Sequence, residues 1–228
     1  TPYYTEVYAN PSSIHSMGVE AREAVEKSRK VISDYLGVKP SEVLFTSGGT
    51  ESDNLAIKGV ARAKGKGHII TSRIEHHAVL RTCEQLEKEG FKVTYLGVNK
   101  EGMIDLAQLK ESITDETILV SIMHANNEVG TIQPIEAIAG ICHEQGVTFH
   151  TDAVQSFTKA PIKGPDLISV SSHKIHGPKG VGALIVKDEV KLKPLITGGS
   201  HEFKQRAGTE NVPGIIGFAR AVELTSGV

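Results

Sequence analysis

The chain has 228 residues with 25 basic and 27 acidic side chains and a net charge of −2, enough length for one large core or two small ones. Acids and bases are interspersed, so there is neither a basic face for nucleic acid nor a polybasic tail for anionic lipid, and a small molecule or a protein is the expected partner. Only two cysteines occur, Cys83 and Cys142. Each sits in a helical pattern, the sparing usage expected of a reducing compartment, and buried packing is the expected role of both. No signal peptide opens the chain and no apolar run approaches the ~20 residues that span a bilayer, so a cytoplasmic location is expected.

In chain order, the loop ANPSSIHS leads into MGVEAREAVEKSRKVISDYLG, which reads as a long amphipathic helix. Apolar β-rich runs follow: VLFT at 43–46, HIITS at 68–72, KVTYLGV at 92–98, TILVSIM at 117–123, VTFHT at 147–151, DLISVS at 166–171 and GALIVK at 182–187. Between several of them lie segments of period near 3.6, NLAIKGVARAKG, AVLRTCEQLEKEG and PIEAIAGICHEQG, each stopped by glycine. This alternation predicts an α/β fold, three-layer α/β/α, with a mostly parallel, mixed sheet. Ligands in such sheets sit beyond the carboxyl ends of strands, so the residues that follow each run are the candidates for chemistry.

After VLFT comes SGGTESDNLAIKG, a glycine-rich turn feeding a helix with Glu51 and Asp53 near its start. Free N–H groups and a positive dipole end suit a phosphate there; the plainer reading is an ordinary helix capped by Thr50 or Ser47. A Lys-Ser/Thr ending is lacking, which disfavours ATP. After HIITS, paired histidines open a helix, where an imidazole stacks on a planar ligand, relays a proton or simply faces solvent. After TILVSIM, Asn126 and Asn127 offer donors and acceptors to a turn or to a ligand. Asp152 ends VTFHT as an acid that invites a cation or donors if buried. Lys174, after DLISVS, reads as a surface charge, a phosphate contact or a Schiff-base nucleophile. A phosphate turn, a stacking histidine, amides, an acid and an amine at successive strand ends form the set that pyridoxal phosphate needs, and GPKGVG lets the chain turn tightly beside it. Metal binding is disfavoured: no HExxH occurs and HKIH lacks helical i, i+4 geometry.

NPSSIHSMG, FTSGGTESDNLAIKG, EHHAVL, HANNEVGTIQPI, DAVQS, SSHKIHGPKGVGAL and RAGTENVPGIIGFARA resemble, in order, successive segments of the cysteine desulfurases, a class V branch of the fold-type I pyridoxal-phosphate enzymes. The resemblance implies that Lys174 is the Schiff-base lysine and that His76 stacks on the ring and assists proton transfer. It implies that Asp152 pairs with the pyridine nitrogen and that Gln155 and Asn127 lie around the phenolic oxygen and substrate. Gly49, Thr50, Ser171 and His173 fall at the phosphate, and Thr209 at the position a partner subunit contributes, which implies a homodimer. The implied reaction takes sulfur from L-cysteine, leaving L-alanine and an enzyme persulfide for a sulfur-acceptor or scaffold protein of iron–sulfur cluster assembly or thiolation.

The resemblance also has gaps. The family's nucleophilic cysteine and carboxylate-binding arginine have no counterparts, since Cys83 and Cys142 match neither position nor context. The opening is abbreviated, and KAPIKGPDLISV is shorter than its family equivalent. Residues 1–228 are therefore expected to be the cofactor-binding large domain, ending at the start of a small C-terminal domain that is mostly absent. Selenocysteine lyase or aminotransferase chemistry, or a non-catalytic scaffold that retains the cofactor site, stays open as an alternative.

Overall fold

The computed structural model describes residues 2–225. Of the span expected to form one domain, residue 1 and residues 226–228 lie outside the described part. Seven strands, β1 (Val43–Thr46), β2 (His68–Ser72), β3 (Lys92–Leu96), β4 (Thr117–Ser121), β5 (Thr148–Asp152), β6 (Leu167–Ser171) and β7 (Gly182–Val186), form one sheet in the order β1-β7-β6-β5-β4-β2-β3. All pairings are parallel except those of β7, which runs antiparallel to both β1 and β6. The sheet is thus mostly parallel and mixed, as the alternation of runs predicts. Because β7 is reversed, β1 points the same way as β6, and the carboxyl ends of β1, β6, β5, β4 and β2 share one edge.

Period-two alternation splits the strands between two helical layers. Leu44, Ile69, Leu119, Leu167 and Leu184 face α2 (Gly49–Lys64) and α3 (His77–Lys88). On the other face, Val43, Phe45, Ile168, Val170, Ala183 and Ile185 pack with α1 (Ser16–Leu36) and α6 (Val212–Thr225). Ile70, Val120 and Phe149 pack there with α4 (Leu106–Ser112) and α5 (Ile135–Glu144). Helix α4 is too short for periodicity to reveal; its signal is the Asp105 side chain, which accepts hydrogen bonds from the Ala107 and Gln108 N–H groups. Among the described residues no helix is long and apolar enough to cross a membrane.

The reversal of β7 brings its first residue against the glycine turn after β1. A Cβ on Gly182 would lie 2.6 Å from the Val170 carbonyl oxygen and 2.8 Å from Gly48 Cα. Both neighbours are backbone, and neither moves without disturbing the sheet edge. Gly182→Ala is expected to lower stability by about 1–3 kcal/mol, the usual scale of overpacking, measured by urea denaturation. An alanine variant as stable as the parent would show that this approach is looser than it stands here.

Candidate functional site

At the shared carboxyl edge lies a cavity of about 350 Å³. The turn after β1 supplies Gly49 and Thr50, the segment before α3 supplies His76, and residues beyond β4 supply Met123 and Asn127. The end of β5 and the turn after it give Asp152, Val154 and Gln155, and β6 with its following 3-10 turn gives Ser171, His173 and Lys174. Every site residue expected from the sequence therefore lines one cavity, with a single exception. Thr209 is exposed and outside it, on the segment that leads into α6.

The start of α2 has no side-chain cap. Its N-cap is Gly48, at φ 149°, so the expected cap by Thr50 or Ser47 is not made. Glu51 instead turns away from the cavity, accepting from the Ser47 N–H at 2.8 Å and pairing with Arg206 at 2.8 Å. Gly49 faces the cavity wall: a Cβ there would lie 2.6 Å from Val154 Cγ2. The first N–H groups of α2 stay open for a ligand's acceptors. Beside them, Ser171 Oγ and His173 Nδ1 are 2.9 Å apart, and burial lowers the His173 pKa, with the charges of Lys174 and Lys179 adding to it.

Asp152 is buried, and its Oδ1 accepts from the Val154 N–H at 2.9 Å. Burial raises its pKa, while that hydrogen bond and the positive fields of His76 and Lys174 oppose the rise. A buried carboxylate with no ion pair of its own is a seat for a ligand's cation. His76 N-caps α3, its Nδ1 accepting from the Ala78 N–H at 3.1 Å, which leaves Nε2 as the nitrogen free to exchange a proton. The two asparagines divide the roles weighed for them. Asn126 is buried in the turn, donating to the Ile74 carbonyl and accepting from the N–H groups of Glu128 and Val129, whereas Asn127 lines the cavity.

Glu75 was not singled out in the sequence, yet it holds His76 in place. Its carboxyl accepts from the Ser72 hydroxyl at 2.5 Å and sits 3.0 Å from the Met123 N–H, tying the segment before α3 to the end of β4. Burial raises its pKa from the usual 4.5 to about 8. A folded-state pKa above the unfolded one means that the native state binds the proton more tightly. The stability this adds is full below about pH 4.5 and is lost as pH rises through about 8. The melting temperature is expected to fall across that window, and Glu75→Gln is expected to flatten the fall. An unchanged slope in the variant would contradict the assignment.

The other buried acid that lines the cavity is Asp53. The sequence showed it as one of two acids near a helix start; only the packing shows that it points inward while Glu51 points away from the cavity. Cys83 and Cys142 are free, buried and outside the cavity. Burial pushes both thiols up to about 12.

An amine, a histidine, a buried carboxyl and an open helix start on the strand ends of a mixed α/β sheet define a family of enzymes, and the chain belongs to it: residues 1–228 match the aminotransferase class-V family. Among its relatives, the protein named cysteine desulfurase IscS from Dictyoglomus turgidum is 55% identical over 230 residues, covering 98% of this chain and 58% of that one. A putative cysteine desulfurase IscS 1 from Bacillus subtilis is 53% identical, covering 99% and 61%. The solved structure of a NifS-like protein superposes with a TM-score of 0.95 at 47% identity, covering 98% of this chain and 64% of that one. A structure titled SspA in complex with cysteine superposes at 0.96 and 47%, covering 98% and 67%. The fold is that of the large domain of fold-type I pyridoxal-phosphate enzymes. The chain spans 58% to 61% of the length of these two curated relatives.

Proposed function

We propose that residues 1–228 are the cofactor-binding large domain of a pyridoxal-phosphate-dependent cysteine desulfurase, the small C-terminal domain being supplied by the rest of the protein. The observation that carries this reading is the convergence of Lys174, Asp152, His76 and the uncapped start of α2 on one cavity. Pyridoxal phosphate fits the donor set. The open N–H groups of α2 with Thr50, Ser171 and His173 would hold its phosphate, Asp152 its ring nitrogen, and Asn127 and Gln155 its phenolic oxygen. When bound, the cofactor supplies an electron sink for charge developing at the α-carbon of an amino acid.

The chain's own groups then do the rest. Asp152, held by the Val154 N–H, would offer its carboxylate to a protonated ring nitrogen and so orient the ring. His76, whose Nδ1 is taken by the Ala78 N–H, would present Nε2 to the cavity as the nitrogen that moves a proton. Lys174, which lines the cavity, would hold the cofactor through its Nζ and is the amine placed to move the proton at a substrate α-carbon. L-Cysteine is the proposed substrate, in keeping with the neighbour crystallised with cysteine and the relatives' names. The products are L-alanine and a persulfide passed to an acceptor protein of cluster assembly or thiolation. Thr209, exposed and away from its own cavity, is proposed to serve the site of a second copy in a homodimer. Two free, buried thiols suit a reducing, cytoplasmic setting.

The test is alanine release from L-cysteine by the full-length protein, small domain included, with pyridoxal phosphate and a thiol. Alanine formation supports the reading, and a protein that binds the cofactor yet releases none would refute it. The sulfur-accepting thiol is expected to be neither Cys83 nor Cys142, because a thiol at about 12 is almost wholly protonated at neutral pH. Cys83→Ala and Cys142→Ala are each expected to leave persulfide formation in the full-length protein within about twofold of the parent, read by labelled-sulfur transfer. Loss of transfer in either variant, with its fold intact, would overturn this assignment.

A further inference from the structure

At the cavity floor and just behind it the structure gathers three carboxyl groups: Asp53 on α2 and Asp152 at the end of β5, which line the cavity, and Glu75 before α3, only 1%, 5% and 5% exposed. Among the described residues none of the three is in an ion pair with a lysine or arginine. Three like charges in such a place would repel strongly, so protons must be shared among them.

Their surroundings sort the three. Asp152 has the Val154 N–H and the fields of His76 and Lys174. Glu75 has the Ser72 hydroxyl and the Met123 N–H. Asp53 has far less, for its Oδ1 is buried without a hydrogen-bond partner and its one side-chain donor is Ser169 on β6. His150 Nε2 on β5 is 3.6 Å from Oδ1, too far for a hydrogen bond. Nor does His150 bring a positive charge. Its ring is held between Ser121 Oγ at 2.8 Å and Ser169 Oγ at 3.0 Å, and burial pushes its pKa down to about 3. The positive end of α2 has faded by the turn that carries Asp53. Burial, then the charge of Asp152, then that of Glu75 raise the Asp53 pKa.

We propose that Asp53 is a positioning residue that stays protonated beside Asp152, so that the cavity floor presents one ionised carboxylate, that of Asp152, to a cationic ring nitrogen. When two coupled acids share a proton, it resides on the one without anion-stabilising donors. Were Asp53 ionised instead, its charge would oppose that of Asp152 and drive the proton onto Asp152, leaving the ring nitrogen facing a neutral acid. The ring-nitrogen role rests on the pyridoxal-phosphate reading above; the protonation state of Asp53 does not.

Infrared difference spectra of the full chain without cofactor, parent minus Asp53→Asn at neutral pH, separate the two. A protonated-carboxyl C=O band lost in the variant is the expected result. Loss of an ionised-carboxylate band instead would overturn the proposal whatever the cofactor does. Asp53→Ser gives the same readout if the amide variant fails to fold. The second measurement is pyridoxal-phosphate affinity against pH, whose acid limb follows Asp152. With Asp53 neutral, Asp53→Asn keeps that limb within about 0.3 pH unit of the parent, whereas removal of a neighbouring negative charge would move it down by about a unit or more. Asp152→Asn is expected to weaken binding at least about tenfold. A parent chain that fails to bind pyridoxal phosphate removes the ring-nitrogen role together with the proposed function, while the infrared band still decides which acid holds the proton.

Discussion

Replacing Lys174 with alanine is expected to lower desulfurase turnover by about a thousandfold or more, the scale at which one group acts as both nucleophile and proton carrier, while stability changes by no more than about 0.5 kcal/mol. The two effects separate because of how the lysine is mounted. The 3-10 turn Ser172–Ile175 follows β6 directly. Its neighbours Ser172 and Ile175 are buried, Ile175 in the core shared with α6. His176 closes the turn at φ 65°, and the Gly177 N–H donates to the Ser172 carbonyl at 3.0 Å. The turn is therefore held by its neighbours, and Lys174 itself is exposed to the cavity. Turnover is read by alanine release and the linkage by borohydride reduction and peptide mapping. A pyridoxyl mass on another lysine, or an alanine variant that retains activity, would sink the assignment.

How much of this was legible in the sequence depends on whether the signal was local. Leu44, Ile69 and Leu184 alternate with their strand neighbours, so the seven strands stand out as apolar runs between turn residues. Helix α2 begins at Gly49, well before its apolar stripe, because the glycine turn that opens it exists for the cavity rather than for packing. The antiparallel setting of β7 was not legible, since GALIVK reads alike in either direction. Lys174, Asp152 and His76 are legible as candidates because each closes or follows an apolar run, and an α/β sheet places its ligands at strand ends. Asp53 and Glu75 escaped because their chemistry comes from burial. Asp53 looks like Glu51 until the helix is rolled against the sheet, and Glu75 gains its role from Met123, 48 residues away.

Glu202→Ala is expected to destabilise the protein by about 3–5 kcal/mol, the range for breaking one side of a buried ion pair. Arg29 Nη1 and Nη2 donate to the two Glu202 oxygens at 2.7 and 2.9 Å, and the side chains are 3% and 2% exposed. Glu202 also accepts from the Phe45 N–H at 2.7 Å, and Arg29 donates to the Val43 carbonyl at 2.6 Å. The pair thereby ties α1 to β1 and to the segment that later carries Thr209. The guanidinium lies 4.7 Å from the centre of the Phe45 ring and 5.0 Å from that of Phe203, stacking that a lysine would not reproduce. To make these contacts Glu202, Phe203 and Lys204 take φ values of 43°, 56° and 66°, a left-handed run that costs roughly 1–2 kcal/mol per residue. The ion pair must offset that strain, so loss of Glu202 releases the segment and leaves the buried Arg29 with only the exposed Glu26, 3.2 Å from its Nε, as ionic partner. Arg29→Ala, which leaves Glu202 buried without a cation, is expected to cost at least as much as the Glu202 variant, and the double variant clearly less than the sum of the two. Urea midpoints of the three variants decide it. Additive effects, or single variants within about 1 kcal/mol of the parent, would mean that the contacts of 198–208 with the sheet hold without the pair. Nothing local could have announced it: 173 residues separate the partners, and only the closing of α1 over β1 brings a helix arginine to a loop glutamate.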